Sequence, residues 1–403
     1  MDSKKFITAA LLLCACPADD DDGSDTNNDS GSEEGGSETG DCEPMTANVP
    51  APDEASCGPL ATDYTPGADD DYPACAPDSG EWVTILEDPP GSQARVDAYE
   101  MMMTLIRGDH TPTVEDFVAA RMQYSLEEGL ESRTVRREDL HYPEIDAADM
   151  MAGVDFDKQC TIEANVTKYP DRCVGPAKIA PIISGAFDAA MAGDGDPNVH
   201  AARIDAGVLW FLWVSTYKES SSCVRLPEDC DAHHGYYDGN NTRSAPKGLG
   251  EEINLISPVA HGAVFDAMLA INCWRDLDRE TLLWEDYTAE SQQQFLAAHE
   301  QLDNALFYAW ARLVRDRLEN QPATCGSEAD ANWAFIQVAG PVLDTEAGIR
   351  DGAMAGTLSA LWANTAPTVA DIEGGIAAID AIFPCPQCST CEVNPSWGYD
   401  PIE

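Results

Sequence analysis

The feature that most constrains the fold is an apolar run within residues 199–220, VHAARIDAGVLWFLWVSTYKES. Residues 206–214 read Ala-Gly-Val-Leu-Trp-Phe-Leu-Trp-Val, so a helix here is apolar on nearly all sides. Such a helix is stable only when other helices surround it. The run is shorter than a bilayer requires, and charged residues bracket it closely. It therefore predicts a buried central helix that Asp196 caps and Pro197 begins.

Most of the remaining body has the spacing of amphipathic helices, and strand signals are nearly absent. Residues 82–86 are predicted as a short strand or an extended lead-in, and residues 223–250 as a long polar connection. Further helices are predicted over residues 92–107, 114–131, 181–192, 256–275, 288–319, 330–342, 346–363 and 368–382. The pattern predicts an all-α domain over residues 81–403, and either one domain or two helical halves that share a core fits that length.

For two of these helices, the sequence predicts which side chains are buried and which are solvated. The second helix is expected to bury an apolar face that includes Phe117, Val118, Met122 and Leu126. The sequence HEQLD at residues 299–303 is similar to half of a helical metal motif, but the second histidine is missing. Its polar side chains are therefore predicted to be solvated.

The first sixteen residues resemble the start of a bacterial lipoprotein. Lys4 and Lys5 precede an apolar core over residues 6–13, and Cys14-Ala15-Cys16 follows. This is similar to a lipobox, in which a leucine and a small residue precede a cysteine that receives lipid. The resemblance implies a signal peptide over residues 1–15 and lipidation of Cys16. It also implies an outer-membrane lipoprotein of the cell envelope, facing the periplasm or the surface, that acyl chains anchor to the membrane.

Residues 16–80 have the composition of a disordered tether, being acidic and rich in glycine and serine. No lysine or arginine occurs between Lys5 and Arg95. Such a segment cannot bury enough apolar surface to fold, and its charges repel one another. The whole chain has 72 acidic and 23 basic side chains, for a net charge of −49. A surface this acidic repels nucleic acid and anionic lipid, so contact with the membrane is expected only through the lipid anchor.

Fourteen cysteines are typical of an exported, disulfide-bonded protein. Twelve remain when Cys14 and Cys16 are set aside, and an even number favours pairing. Two local disulfides are predicted, Cys160 with Cys173 and Cys223 with Cys230, each closing a short polar loop. Three further cysteines are expected to attach the end of the tether to the body, namely Cys42, Cys57 and Cys75.

The C-terminal tail contains the sharpest local cysteine pattern, Cys385, Cys388 and Cys391. The spacing is similar to the first three ligands of a bacterial ferredoxin, but Pro395 occupies the fourth position. In an exported chain this pattern favours disulfides that lock the tail. One of these cysteines is expected to reach back to Cys273 or Cys325.

A sequence repeat relates two helices. His200, Asp205 and Trp213 recur at the same spacing as His261, Asp266 and Trp274. A histidine and an aspartate five residues apart do not face each other on one helix. If a pseudo-twofold axis relates the helices, His200 would pair with Asp266 and His261 with Asp205. Chance similarity in an alanine-rich sequence is the alternative.

A polar cluster after Cys230 is the strongest candidate site. It consists of Asp231, His233, His234, Tyr236, Tyr237 and Asp238. These side chains suit a transition metal such as iron, copper or zinc, with His200 or His261 as further ligands, and the two tyrosines suit a small ligand. A structural aromatic-rich loop is the alternative. Calcium is considered at residues 194–198, although Asp196 serves better as a helix cap.

Three functions follow from these patterns. The first is a non-enzymatic exported lipoprotein whose helical domain binds a protein or a small molecule. The second is a metal-binding or metal-uptake accessory lipoprotein. The third is a hydrolase with a site assembled from distant residues, since the sequence has no HExxH, GxSxG, P-loop or GxGxxG motif.

Overall fold

The computed structural model describes residues 47–55, 57, 80–87, 91–108, 110–126, 129–131, 133–134, 179–224 and 226–385. Within these ranges the fold is all-α and contains no strand, as predicted. No helix among them is both long enough and apolar enough to cross a membrane. The signal peptide, Cys16, Cys42, Cys75, the Cys160–Cys173 pair, Cys388 and Cys391 lie outside the described residues.

The described residues form the following α-helices, numbered in chain order. They are α1 (Gln93–Ile106), α2 (Val114–Tyr124), α3 (Ile179–Ala192), α4 (Pro197–Ser222), α5 (Pro227–Asp238), α6 (Gly248–Ile256), α7 (Pro258–Leu277), α8 (Ala289–Asn320), α9 (Gly326–Ala339), α10 (Asp344–Arg350), α11 (Gly352–Trp362) and α12 (Val369–Ile382).

Helix α4 is the buried central helix that the apolar run predicts. Helices α3, α5 and α9 pack against it, and nearly every residue from Ile204 to Tyr217 is buried. Asp196 caps its first turn and Pro197 is its first residue. The Trp213 indole donates to the backbone oxygen of Leu306 over 3.1 Å, which ties α4 to α8. Burying each large apolar side chain stabilises the fold by roughly 1.5–3 kcal/mol, so the many buried side chains of this helix contribute strongly to the stability of the core.

The polar stretch over residues 223–250 is not a long connection, because α5 and the start of α6 lie within it. Pro227 is the first residue of α5, acidic residues occupy its first turn, and Gly239 ends it with a left-handed φ of 72°. These are ordinary start and stop signals for a helix. The prediction is wrong because it weighed polarity over capping.

Two further predictions need correction. The helix expected over residues 346–363 is two helices, since Asp351 is extended and its carboxylate caps α11. Of the predicted apolar face, Phe117 is buried, but Val118, Met122 and Leu126 are 45%, 66% and 54% exposed. Helix α2 instead buries Phe117, Ala120 and Tyr124.

Part of the predicted tether packs on the helices. Arg315 donates to the backbone oxygen of Pro50 over 2.6 Å, and Arg312 pairs with Glu54 at 2.9 Å. Cys57 forms a disulfide with Cys385, so the end of the tether is joined to the residue where the C-terminal tail begins. The predicted Cys223–Cys230 disulfide is also present. Cys385 therefore does not reach back to Cys273 or Cys325.

Candidate functional site

The predicted polar cluster lies on α5, and all of its side chains are buried. Asp231 accepts hydrogen bonds from the backbone N–H groups of Ile85 and Leu86 over 2.8 and 2.9 Å. Burial raises the pKa of this carboxyl, while the two N–H groups act in the opposite direction. Asp231 thereby fixes the extended lead-in, residues 80–87, against the helical body.

The two adjacent histidines pack against Trp82 of the same lead-in. The ring centroid of Trp82 lies 4.0 Å from that of His234 and 5.4 Å from that of His233. His234 Nδ1 is 2.8 Å from an Asp238 carboxylate oxygen. Burial lowers the pKa of His233 to about 3, so its imidazole is neutral at physiological pH. These side chains form part of the core.

The tyrosines of the cluster are also internal. The Tyr237 hydroxyl lies 3.1 Å from Nδ1 of His261, whose Nε2 lies 2.9 Å from the backbone oxygen of Arg243. A carbonyl only accepts, so Nε2 donates to it and Nδ1 accepts from Tyr237. Tyr236 packs edge-on against Phe211, with centroids 5.7 Å apart. The contacts of both rings are therefore with the protein's own core.

The repeated motifs do not pair crosswise, so that prediction is wrong. His200 Nε2 donates to the backbone oxygen of Asp194 over 2.6 Å, and Asp205 accepts from Tyr99 over 2.9 Å. Asp205 also pairs with Arg107, and Asp266 with Arg243. Each motif is therefore satisfied by its own partners and not by the other motif.

The two motifs nevertheless make matching contacts. Each histidine donates to a backbone oxygen, and each aspartate pairs with an arginine. Each tryptophan indole donates to a backbone oxygen of α8, Trp213 to Leu306 and Trp274 to Ser291. The repeat therefore has a structural role in docking α4 and α7 onto α8.

For the described residues, no group of three or more histidine, cysteine, aspartate or glutamate side chains is arranged to hold a metal ion. At the calcium candidate, Asp196 caps α4 and Asn198 donates to Ser327 over 2.8 Å.

One serine–histidine contact corresponds to the hydrolase hypothesis. Ser221 Oγ lies 2.8 Å from Nε2 of His299. His299 is predicted to be solvated, but it is buried. Burial lowers the pKa of His299 to about 4, which makes it a weak general base at neutral pH. The Ser221 hydroxyl also bonds the backbone oxygen of Tyr217 over 3.1 Å. This geometry suits a structural link between α4 and α8.

The feature that sequence reasoning missed is a group of exposed leucines at one end of α7. Leu226, Leu277, Leu282 and Leu283, hereafter the leucine patch, are 45%, 49%, 46% and 54% exposed. They come from two segments that meet at Arg275, which donates to the backbone oxygens of both Val224 and Thr281 over 3.5 and 2.7 Å. Exposed apolar groups gathered in one place are typical of interaction sites.

Hydrogen bonds and a disulfide hold the backbone beneath the leucine patch in place. Arg275 is fully buried and also donates to the backbone oxygen of Arg279 and the hydroxyl of Tyr287. Asp278 accepts from the N–H and hydroxyl of Thr281 over 3.0 and 2.6 Å. The Cys223–Cys230 disulfide closes the segment that contains Leu226. The leucines are therefore held on a braced surface.

Acidic residues surround the leucine patch. The segments over residues 224–230 and 276–290 together contain eight acidic and two basic residues. Glu228, Glu280 and Asp286 are exposed, whereas Arg279 is bonded to Asp276 and to the backbone oxygen of Ile85. The patch therefore combines apolar side chains with a negative border.

No protein-family model, curated protein or solved structure matches this chain.

Proposed function

We propose that this protein is an exported, lipid-anchored, non-enzymatic protein whose helical domain binds a partner protein through the leucine patch. The observation that carries the proposal is the exposure of four leucines on a base that a buried arginine and a disulfide brace. Solvent exposure of large apolar side chains is unfavourable, and burying them against a partner recovers about 25 cal/mol per Å² of apolar surface.

The hydrogen bonds of the candidate metal ligands also favour a protein-binding function over catalysis or metal transport. Asp231 accepts from two backbone N–H groups, and His261 bonds Tyr237 and a backbone oxygen. These groups have structural partners in the core. The leucine patch, in contrast, combines exposed apolar side chains with a braced base.

The anchoring part of the proposal rests on the lipobox. We expect full-length protein expressed in a Gram-negative host to incorporate a clickable fatty acid, and Cys16→Ser to lose that label. Cys14→Ser is the matched control and should keep it, because cleavage before Cys16 removes residue 14. Equal labelling of Cys16→Ser and the unmodified chain would contradict lipidation at this residue.

Photo-cross-linking tests the binding site directly. A photoreactive amino acid replaces Leu282 in the anchored full-length protein, and Leu255, which is 75% exposed, is the matched control position. Leu255 precedes the first residue of α7, whereas Leu282 follows its last residue, so about 30 Å of helix separates the two positions. We expect a discrete adduct from residue 282 that Leu283→Asp abolishes. The same adducts from both positions would refute a site at the patch.

A further inference from the structure

We infer that the partner presents an apolar segment bordered by lysine or arginine side chains, an inference that rests on the binding function proposed above. The occupant we assign to the leucine patch is thus a cationic amphipathic segment of another protein. The leucines would contact the apolar side chains of that segment, and the acidic residues around them would pair with its lysine or arginine side chains.

The charge of the border determines which partners can approach. Glu228, Glu280 and Asp286 are exposed around the patch. Opposite charges across an interface speed association and exclude partners of the wrong sign, since like charges brought together cost several kcal/mol. A partner with an acidic border would meet this repulsion as the leucines made contact. A basic border turns the same groups into attractive ones.

Among the described residues, the two arginines beside the patch, Arg279 and Arg275, do not reverse this conclusion. The Arg279 guanidinium is 49% exposed, but it is paired with Asp276 and donates to the backbone oxygen of Ile85 over 2.6 Å. Arg275 is fully buried beneath the loop and donates to backbone oxygens and to Tyr287. Both cations therefore stabilise the base of the patch.

A membrane surface is a poorer occupant than a basic protein segment. Bacterial anionic lipids would face the same acidic border, in a chain whose net charge is −49. The leucines would gain from contact with lipid, but the carboxylates would be repelled by the headgroups. Binding to anionic vesicles is therefore an outcome that would contradict the inference.

Two designed peptides test the inference. The full-length protein is placed in phosphatidylcholine nanodiscs and titrated with an amphipathic leucine–lysine helix or with a leucine–glutamate helix of equal length. Empty nanodiscs correct for binding to lipid. We expect the lysine peptide to bind at least about 10-fold more tightly, and its affinity to fall several-fold between about 50 and 300 mM salt. Leu282→Asp/Leu283→Asp should remove this binding.

Matched charge variants separate a specific site from general attraction to an acidic protein. Glu228→Lys/Glu280→Lys/Asp286→Lys should reverse the peptide preference. Asp188→Lys/Glu328→Lys/Asp330→Lys makes the same change in net charge at exposed positions, and should leave the preference within about 2-fold. Glu328 and Asp330 lie near the first turn of α4, because Asn198 of that turn bonds Ser327. The leucine patch lies near the last turn of α4. Equal effects of both triple variants would refute the inference.

The outcomes distinguish the inference from the proposed function. If residue 282 cross-links to a protein while the glutamate peptide binds as well as the lysine peptide, the patch is a binding site but its partner is not cationic. If neither peptide binds and no adduct forms, both the inference and the proposed function are wrong. Binding of the Cys16→Ser protein to phosphatidylglycerol vesicles through the patch would assign it to lipid.

Discussion

Arg275→Met is expected to lower the free energy of unfolding by about 3–5 kcal/mol, the cost of breaking a buried network of hydrogen bonds. The guanidinium donates to the backbone oxygens of Val224, Thr281 and Arg279 and to the Tyr287 hydroxyl. Methionine fills a similar volume but removes the guanidinium donor, so only the Tyr287 hydroxyl still donates to the oxygens of Val224 and Thr281. Denaturant unfolding of the disulfide-bonded protein, followed by circular dichroism, measures the change.

Arg279→Met is the matched control, because Arg279 lies four residues away but its guanidinium is 49% exposed. Its loss should cost about 1 kcal/mol or less. We also expect Arg275→Met to weaken binding at the leucine patch more than Arg279→Met does, since it releases both segments that carry leucines. Equal destabilisation by the two variants would show that Arg275 is not the brace of this surface.

Asp303→Asn is expected to stabilise the protein above neutral pH, by an amount on the order of 1–3 kcal/mol. Asp303 is 4% exposed, and one of its oxygens has no hydrogen-bond partner. Burial, and then the nearby Glu346, raise the pKa of this carboxyl well above its usual value, while Arg350 opposes the shift. The folded protein therefore pays to ionise Asp303, and asparagine removes that cost.

The stability gain from Asp303→Asn is expected to increase with pH. Between the ordinary aspartate pKa and the raised one, the folded state keeps a proton that the unfolded state has lost. Stability due to this group therefore falls as pH rises through that range. The gain from Asp303→Asn should be small near pH 4 and larger at pH 8. Asp330→Asn, an exposed control on α9, should change stability little at either pH. A constant difference would contradict the assignment.

The sequence predicts the parts of this fold that apolar density and capping determine. The run before Val214 is buried wherever the neighbouring helices lie, so α4 follows from it directly. The capping signals of α5 are present in the sequence, but its burial does not follow from them, because Asp231, His233, His234 and Asp238 are among its buried residues. Those residues are tolerated only through tertiary partners such as the N–H groups of Ile85 and Leu86 for Asp231. No local pattern near residue 231 identifies a partner about 145 residues away.

The candidate site shows the same limit. In the sequence, the histidines and tyrosines near residue 234 resemble metal ligands or ligand-binding groups. In the structure they are buried, and their contacts are with the core. The leucine patch has no such signal, because a leucine in a polar loop reads as an isolated apolar residue. Only the hydrogen bonds from Arg275 to the backbone oxygens of Val224 and Thr281 bring the two leucine-bearing segments to one place. In both cases, long-range contacts determine the outcome.

The most direct test of the central claim is the yield of protein adduct from a photoreactive residue at position 282 relative to position 255 in intact cells. A braced, partner-binding leucine patch predicts a discrete adduct with at least about 10-fold higher yield at position 282. It also predicts that Leu283→Asp eliminates this adduct while the protein stays folded. Equal yields at the two positions, or no adduct from position 282, would contradict the claim that the leucine patch binds a partner.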